Sequence, residues 1–157
     1  MSVFDSLAAA FPTAEFEQVL ADQQDVAHVP VEQYAEFVAA AKTAGFDVFV
    51  DLCGVDYLRR DPRFEVVLNL LSHNHGRRLR IRVGVSGSEP VVPTIVSIFP
   101  GANFYEREAF DLFGIVFTGH PDLTRIVLPD DWEGHPLRKD YSVGSVPVRF
   151  KESPKAT

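Results

Sequence analysis

From residue 78 to residue 85 apolar and charged side chains alternate. Leu79, Ile81, Val83 and Val85 fall on one side, Arg78, Arg80 and Arg82 on the other. A period of two predicts a strand with one face on a core. Residues 64–71 (FEVVLNLL) predict a second strand. The stretch 72–76 (SHNHG) suits a hairpin loop between the two. Residues 46–55 are almost continuously apolar and read as a buried strand. Residues 56–63, which contain Pro62, link it to the next strand.

Elsewhere the period lengthens. Residues 25–29 are expected to form a short strand, and Pro30 sits where a first helical turn tolerates a missing N–H. Val31, Tyr34, Ala35, Val38 and Ala41 recur at helical spacing, and Gly45 is placed to close that helix. Pro90 and Pro93 interrupt the chain, a short helical segment is expected up to Phe99, and Pro100-Gly101 interrupts it again. Asn103 then predicts a helix cap, with Glu106 as the return partner of a capping box. Tyr105, Ala109, Leu112 and Phe113 share one face of that helix, and Gly114 ends it.

Regular signals fade after Ile115. The remainder is rich in Gly, Pro and Asp, yet it carries Leu123, Ile126, Val127, Leu128, Trp132 and Tyr141. Apolar groups on irregular chain need a surface, either this domain's own or another protein's. The expected fold is α+β. A small mixed or antiparallel sheet of about four strands carries the 31–44 and 103–113 helices in a domain of residues 1–117. An extended partner-binding segment, 118–157, follows.

The 157 residues fit one domain. The net charge of −7 argues against general affinity for nucleic acid. It is unevenly spread: residues 1–61 carry 11 acids and 3 bases, 62–105 carry 2 and 5, 106–137 carry 7 and 2, and 138–157 carry 2 and 5. Blocks of opposite sign suggest separate surfaces for separate partners. The single cysteine, Cys53, leaves no intrachain disulfide and is expected to be a buried, inert thiol. No apolar run reaches the roughly 20 residues of a membrane span. The N-terminus has acid where a signal peptide has base, so a cytoplasmic location is expected.

Four groupings invite a chemical reading. Glu106 and Glu108 could serve as acid and base, but on a helix they point about 200° apart and cannot share one substrate. Arg107 and Asp111 are spaced for an i, i+4 pair. His73 and His75 lie two apart in a loop, without the further ligands a metal needs. Gly119-His120-Pro121 is echoed by Gly134-His135-Pro136, and each Pro holds the preceding His extended. With Asp122, Asp130, Asp131 and Glu133 nearby, these turns admit a hydrolytic or metal site, against the plainer reading of hydrogen-bonded turn histidines. No phosphate-cradling Gly loop follows a strand, and no cysteine run could hold an iron–sulfur cluster.

The stretch 101–141, GANFYEREAFDLFGIVFTGHPDLTRIVLPDDWEGHPLRKDY, resembles the signature of the 30-kilodalton (C-type) subunit family of bacterial respiratory complex I. The matching pieces are Glu106-Arg107-Glu108, Asp111-Leu112-Phe113-Gly114-Ile115, Gly119-His120-Pro121-Asp122-Leu123 and Arg125-Ile126. Pro129, Trp132, Gly134, Pro136 and Arg138-Lys139-Asp140-Tyr141 complete them. Upstream, Val55-Asp56-Tyr57, Arg63-Phe64-Glu65-Val66 and Leu70-Leu71-Ser72 are similar more weakly. Phe104 stands where the family often has Trp, and Asn69 where His is common.

The resemblance implies a peripheral-arm subunit of proton-pumping NADH:quinone oxidoreductase, on the cytoplasmic side of the membrane. It implies no cofactor in this chain, with FMN, iron–sulfur clusters and quinone held by other subunits. The implied partners are the quinone-site subunit and the subunit bearing the terminal cluster, met through the signature and tail. On this reading Glu106, Arg107 and Asp111 fix the capped helix, and 119–141 docks the partner. Replacing Arg138 by Glu is then expected to weaken assembly before it weakens the fold. The alternatives are the equivalent subunit of an energy-converting hydrogenase or of a ferredoxin- or F420-fed reductase, a hydrolase using Glu106 or Glu108 with His120 and Asp122, and a generic interaction module.

Overall fold

All four apolar residues of the alternating strand are buried, and they decide which way the sheet faces. The computed structural model describes residues 3–19 and 24–142. The part of the expected partner-binding segment beyond residue 142 lies outside the described residues. The elements are α1 (Val3–Ala10), β1 (Glu15–Val19), β2 (Gln24–His28), α2 (Tyr34–Thr43), β3 (Val48–Asp56), β4 (Phe64–Ser72), β5 (Arg77–Val85), β6 (Val91–Pro93), α3 (Ala102–Phe113) and β7 (Val116–Thr118). Five strands form a mixed sheet in the order β1-β2-β5-β4-β3. The β4–β5 hairpin is paired over its full length, from Phe64↔Val85 to Ser72↔Arg77, and β2 joins β5 in parallel.

One sheet face makes the core. Phe64, Val66, Leu68 and Leu70 of β4 lie beside Leu79, Ile81, Val83 and Val85 of β5, all buried. Each such side chain contributes about 1.5–3 kcal/mol of apolar burial. Phe37, Val38 and Ala41 of α2 pack onto this layer, with Phe11 edge-on to Phe37 at 5.0 Å. Gly45, at φ +102°, turns the chain out of α2 as expected.

The structure departs from the sequence expectations in several places. The α+β class and the mixed sheet are as expected, and residues 15–19 add a fifth strand by pairing with β2. β3 is an edge strand with only Leu52 and Asp56 buried, not a fully buried one. Its apolar run serves two surfaces, so composition overstated its burial. Cys53, on the outward side of that edge, is exposed and not buried. Its thiol is still pushed up, first by partial desolvation and then by Asp51. The short helical segment expected between Pro93 and Phe99 does not form. Instead β6 precedes a turn closed by the Phe99 N–H on the Ile95 carbonyl, at 2.8 Å. β6 pairs in parallel with β7, a strand the sequence did not suggest.

Helix α3 starts one residue earlier than expected, behind Gly101, and no side chain caps it. The capping-box reading of Asn103 and Glu106 is therefore corrected: Glu106 faces the core. At the other end Gly114, at φ +72°, closes the helix with its N–H on the Phe110 carbonyl, at 2.8 Å. No helix among the described residues is long and apolar enough to cross a membrane.

Candidate functional site

Three sides of α3 do three different things. Its inner side carries Glu106, fully buried. The carboxylate accepts the Thr94 hydroxyl at 2.5 Å and the Ile95 N–H at 2.8 Å. These bonds tie α3 to the end of β6. Burial pushes the Glu106 carboxyl above the usual range, and the two hydrogen bonds oppose that shift. Its charge in turn adds to the burial that raises Tyr34, whose buried hydroxyl has no hydrogen-bond partner among the described residues.

The second side carries Arg107 and Asp111, which do not pair with each other. Both reach the segment that follows β7. Arg107 donates to the Thr124 carbonyl at 3.1 Å and to its hydroxyl at 2.8 Å. Asp111 is fully buried, and its Oδ2 accepts the N–H groups of Ile126, Val127 and Leu128 at 3.1, 2.8 and 3.0 Å. Its Oδ1 accepts from Arg125 at 2.7 Å. Burial works to raise the Asp111 carboxyl, but these four donors outweigh it and hold it low. The i, i+4 expectation failed because a buried carboxylate needs several donors, and a backbone turn supplies more than one arginine can.

The segment 119–142 is thus a strap on the chain's own surface. Arg125 also donates to the Trp132 and Gly134 carbonyls, at 3.1 and 3.3 Å, and gathers the next turn. Gly134, at φ +84°, lies against Tyr141, where an added Cβ would come within 2.8 Å of the ring. The Leu137 N–H bonds the Leu112 carbonyl at 3.0 Å, and Arg138 Nε bonds that of Phe113 at 2.6 Å. Arg138 and Arg63 both hold their guanidinium groups over the Phe64 ring, at 5.2 and 4.8 Å.

A second carboxylate ends the strap. Asp56, buried at the end of β3, takes Arg63 in a two-point contact at 2.9 and 2.7 Å and accepts the Lys139 N–H at 2.8 Å. Arg63 grips Asp140 in the same way, at 2.9 and 2.8 Å. The Arg63 contact holds Asp56 well below the usual carboxylate range. Sequence reasoning did not single out Asp56 or Arg63 as site residues. Their signal lay in the weaker upstream likeness around Val55-Asp56-Tyr57 and Arg63-Phe64.

The two His-Pro turns occupy opposite ends of α3. The enclosed His120 ring accepts the Asp122 N–H on Nδ1 at 3.0 Å. That leaves Nε2 to donate to the Asn103 carbonyl, 3.3 Å away. Its Nε2 is 4.0 Å from Glu106. His135 Nδ1 donates to the Asp111 carbonyl at 2.9 Å, and burial lowers its pKa. Pro121 and Asp122 are exposed and Pro136 is half-buried. Glu106 and Glu108 diverge as expected, one buried and the other exposed. His73 and His75 lie exposed in the hairpin loop. Among the described residues no group of three or more His, Cys, Asp or Glu could hold a metal ion. An open trough of about 330 Å³, lined by His28, Arg60, Glu65 and Arg82 among others, contains none of the residues of the 101–141 signature.

The signature therefore builds a strap and its moorings around one helix. Its outward side sets apolar groups among acids: Ile126, Val127 and Leu137 are 39%, 57% and 48% exposed, Phe104 on α3 is 64% exposed, and Asp122, Asp130, Asp131 and Glu133 are exposed beside them. The trypsin-resistant fragment (1–134) of Nqo5 superposes with a TM-score of 0.69 and 37% identity, over 77% of this chain and 96% of that one. A chain of the membrane-bound sulfane sulfur reductase, an archaeal respiratory membrane complex, superposes at 0.80 over 99% and 96%. At 23% identity it shares the fold alone. The class so defined is the Nqo5-like α+β domain.

Within that class the chain belongs to the family described as respiratory-chain NADH dehydrogenase, 30 Kd subunit, whose model matches residues 26–146. The NADH-quinone oxidoreductase C-type subunit of Roseiflexus sp. (strain RS-1) is 46% identical, over 95% of this chain and 87% of its own length. Those of Roseiflexus castenholzii and Salinispora tropica are 60% and 41% identical, over 64% and 95% of this chain. This chain spans 58% and 64% of their respective lengths.

Proposed function

We propose that this chain is a non-catalytic, peripheral-arm subunit of a proton-pumping NADH:quinone oxidoreductase. It docks the quinone-site subunit beside the subunit that bears the terminal cluster, on the cytoplasmic side of the membrane. Electrons pass from NADH through FMN and iron–sulfur clusters to quinone in other subunits, and this chain holds none of those groups. Residues 1–117 are the scaffold and 118–157 the partner-binding segment.

The observation that carries the reading is the strap. Asp111, Asp56 and Arg63 hold its backbone at residues 126–128 and 139 and its Arg125 and Asp140 side chains, and Ile126, Val127 and Leu137 are left exposed. A surface ordered before association spares part of the entropy that binding otherwise costs. It also leaves apolar anchors for the centre of an interface. Arg138 is turned inward on Phe113 and Phe64, so reversing its charge would break the strap itself. Val127, exposed and bonded only through its backbone, separates docking from folding.

The test is native separation of solubilised membranes from cells that make the whole complex, followed by mass spectrometry. Wild-type chain is expected to travel with NADH dehydrogenase activity. Val127→Asp is expected to leave the complex while the isolated variant keeps its thermal transition. A wild-type chain that never joins the active band refutes the assignment. The equivalent subunit of a ferredoxin- or F420-fed complex remains the second reading, since the archaeal respiratory complex shares the fold. A band active with another electron donor and inactive with NADH would favour it.

A further inference from the structure

The third side of α3 faces a groove that the strap completes. Its floor is Gly54 of β3 with Ala109 and Phe113. Its walls are Tyr105, Leu112 and, from the strap, Leu137. Cys53 and Glu108 stand at its rim. Gly54 lets Phe113 and Ile115 pack directly on β3, since a Cβ there would come within 2.9 Å of the Phe113 ring and 3.2 Å of Ile115. Its volume is about 170 Å³. That is below the 300 Å³ or so at which small-molecule and cofactor sites begin. It suits one large side chain.

We propose that this groove is a socket for a single large apolar side chain of a partner polypeptide, seated so that a neighbouring Arg or Lys of that partner pairs with Glu108. The proposal rests on the reading of the chain as an assembly subunit and adds the chemistry of what it grips. Three observations support it. Glu108 is exposed at the edge of an otherwise apolar cleft and has no hydrogen-bond or ion-pair partner among the described residues. No basic side chain lines the cleft and Glu108 is its one charged lining residue, so a cationic companion is favoured there. Apolar surface continues past the rim through Val50, Tyr105 and Leu137, each more than a third exposed, and joins the strap face described above. An anchor residue in a pocket with a charge at its edge is the usual make-up of an interface hot spot.

Cys53 is the only cysteine of the chain and stands at the rim, so the native protein carries its own reporter. The experiment compares alkylation of Cys53 by N-ethylmaleimide in the isolated chain and in the intact complex, read by peptide mass spectrometry. A seated side chain excludes water and reagent, so alkylation in the complex is expected to slow by roughly tenfold or more. Glu108→Arg and Leu137→Asp are each expected to lower the yield of chain in the complex, while chain alkylated beforehand assembles poorly. Equal alkylation in the intact complex overturns the socket but leaves the subunit assignment standing. Protection that appears in the isolated chain as its concentration rises identifies a second copy as the occupant and overturns the proposal. A chain absent from the complex removes both readings together.

Discussion

Arg125 and Asp111 meet at 2.7 Å, with the carboxylate fully buried at the back of α3 and the guanidinium on the strap. The pair joins an i−j separation of 14 residues across two structural units, and three backbone N–H groups share the same carboxylate. A buried pair is costly to form, but breaking one strands a charge, at about 3–5 kcal/mol. Asp111→Asn is therefore expected to lose stability on that scale. Because this residue moors residues 126–128 of the strap, trypsin should cut the variant at Arg125 sooner than it cuts the wild type there. Differential scanning calorimetry and timed proteolysis check both.

Arg63→Ala attacks the other mooring. It leaves Asp56 buried with only the Lys139 and Leu58 N–H groups and frees Asp140. Cleavage after Lys139 is expected to accelerate without an equal change after Arg125. Equal acceleration at both sites would mean that the strap comes off as one unit.

Gly114→Ala meets two obstacles. The backbone sits at φ +72°, and the new Cβ would lie 2.5 Å from Arg138 Nη2 and 2.6 Å from His135. The left-handed conformation alone costs on the order of 1–2 kcal/mol, and the contact adds to it. The expected signature is a lower thermal midpoint together with faster proteolysis of the strap, since both obstacles lie where α3 and the strap meet.

Acid and base should act on opposite parts of the structure. Asp56 and Asp111 are held below their ordinary values, so their contribution is fully present above the usual carboxylate range of about 4 and is lost as pH falls toward their folded values. His135 has the same sign: burial lowers it, so the unfolded chain binds the proton first and stability declines as pH drops below about 6.5. Glu106 is raised, so its contribution is present below the ordinary glutamate value and declines as pH rises through the folded one. Glu106→Gln is expected to flatten the alkaline side of that profile. It should also cost about 1–3 kcal/mol, because an amide cannot accept from both Thr94 and Ile95 as a carboxylate does. Thermal midpoints of wild type and variant, measured every half unit of pH, test the signs.

Much of the fold was legible along the chain because its causes are local. The period of two in β4 and β5, the spacing of Tyr34, Val38 and Ala41, and the need for left-handed glycine at 45 and 114 are properties of neighbouring residues. The family likeness was likewise carried by residues in order, and the matched model covers them.

Sequence spacing did not determine what the charged residues of that signature do. Glu106 looked like a cap and is a core ligand for β6; Asp111 looked like a partner for Arg107 and moors three backbone amides. Cys53 looked buried and lies on an open edge, because an apolar run does not record whether another strand will cover it. Asp56 finds the Lys139 amide 83 positions away. A buried carboxylate takes whichever donors the folded chain brings within reach, and for these residues most of those donors come from distant parts of the sequence. Local pattern determined the elements; only their packing decided which groups had to satisfy one another.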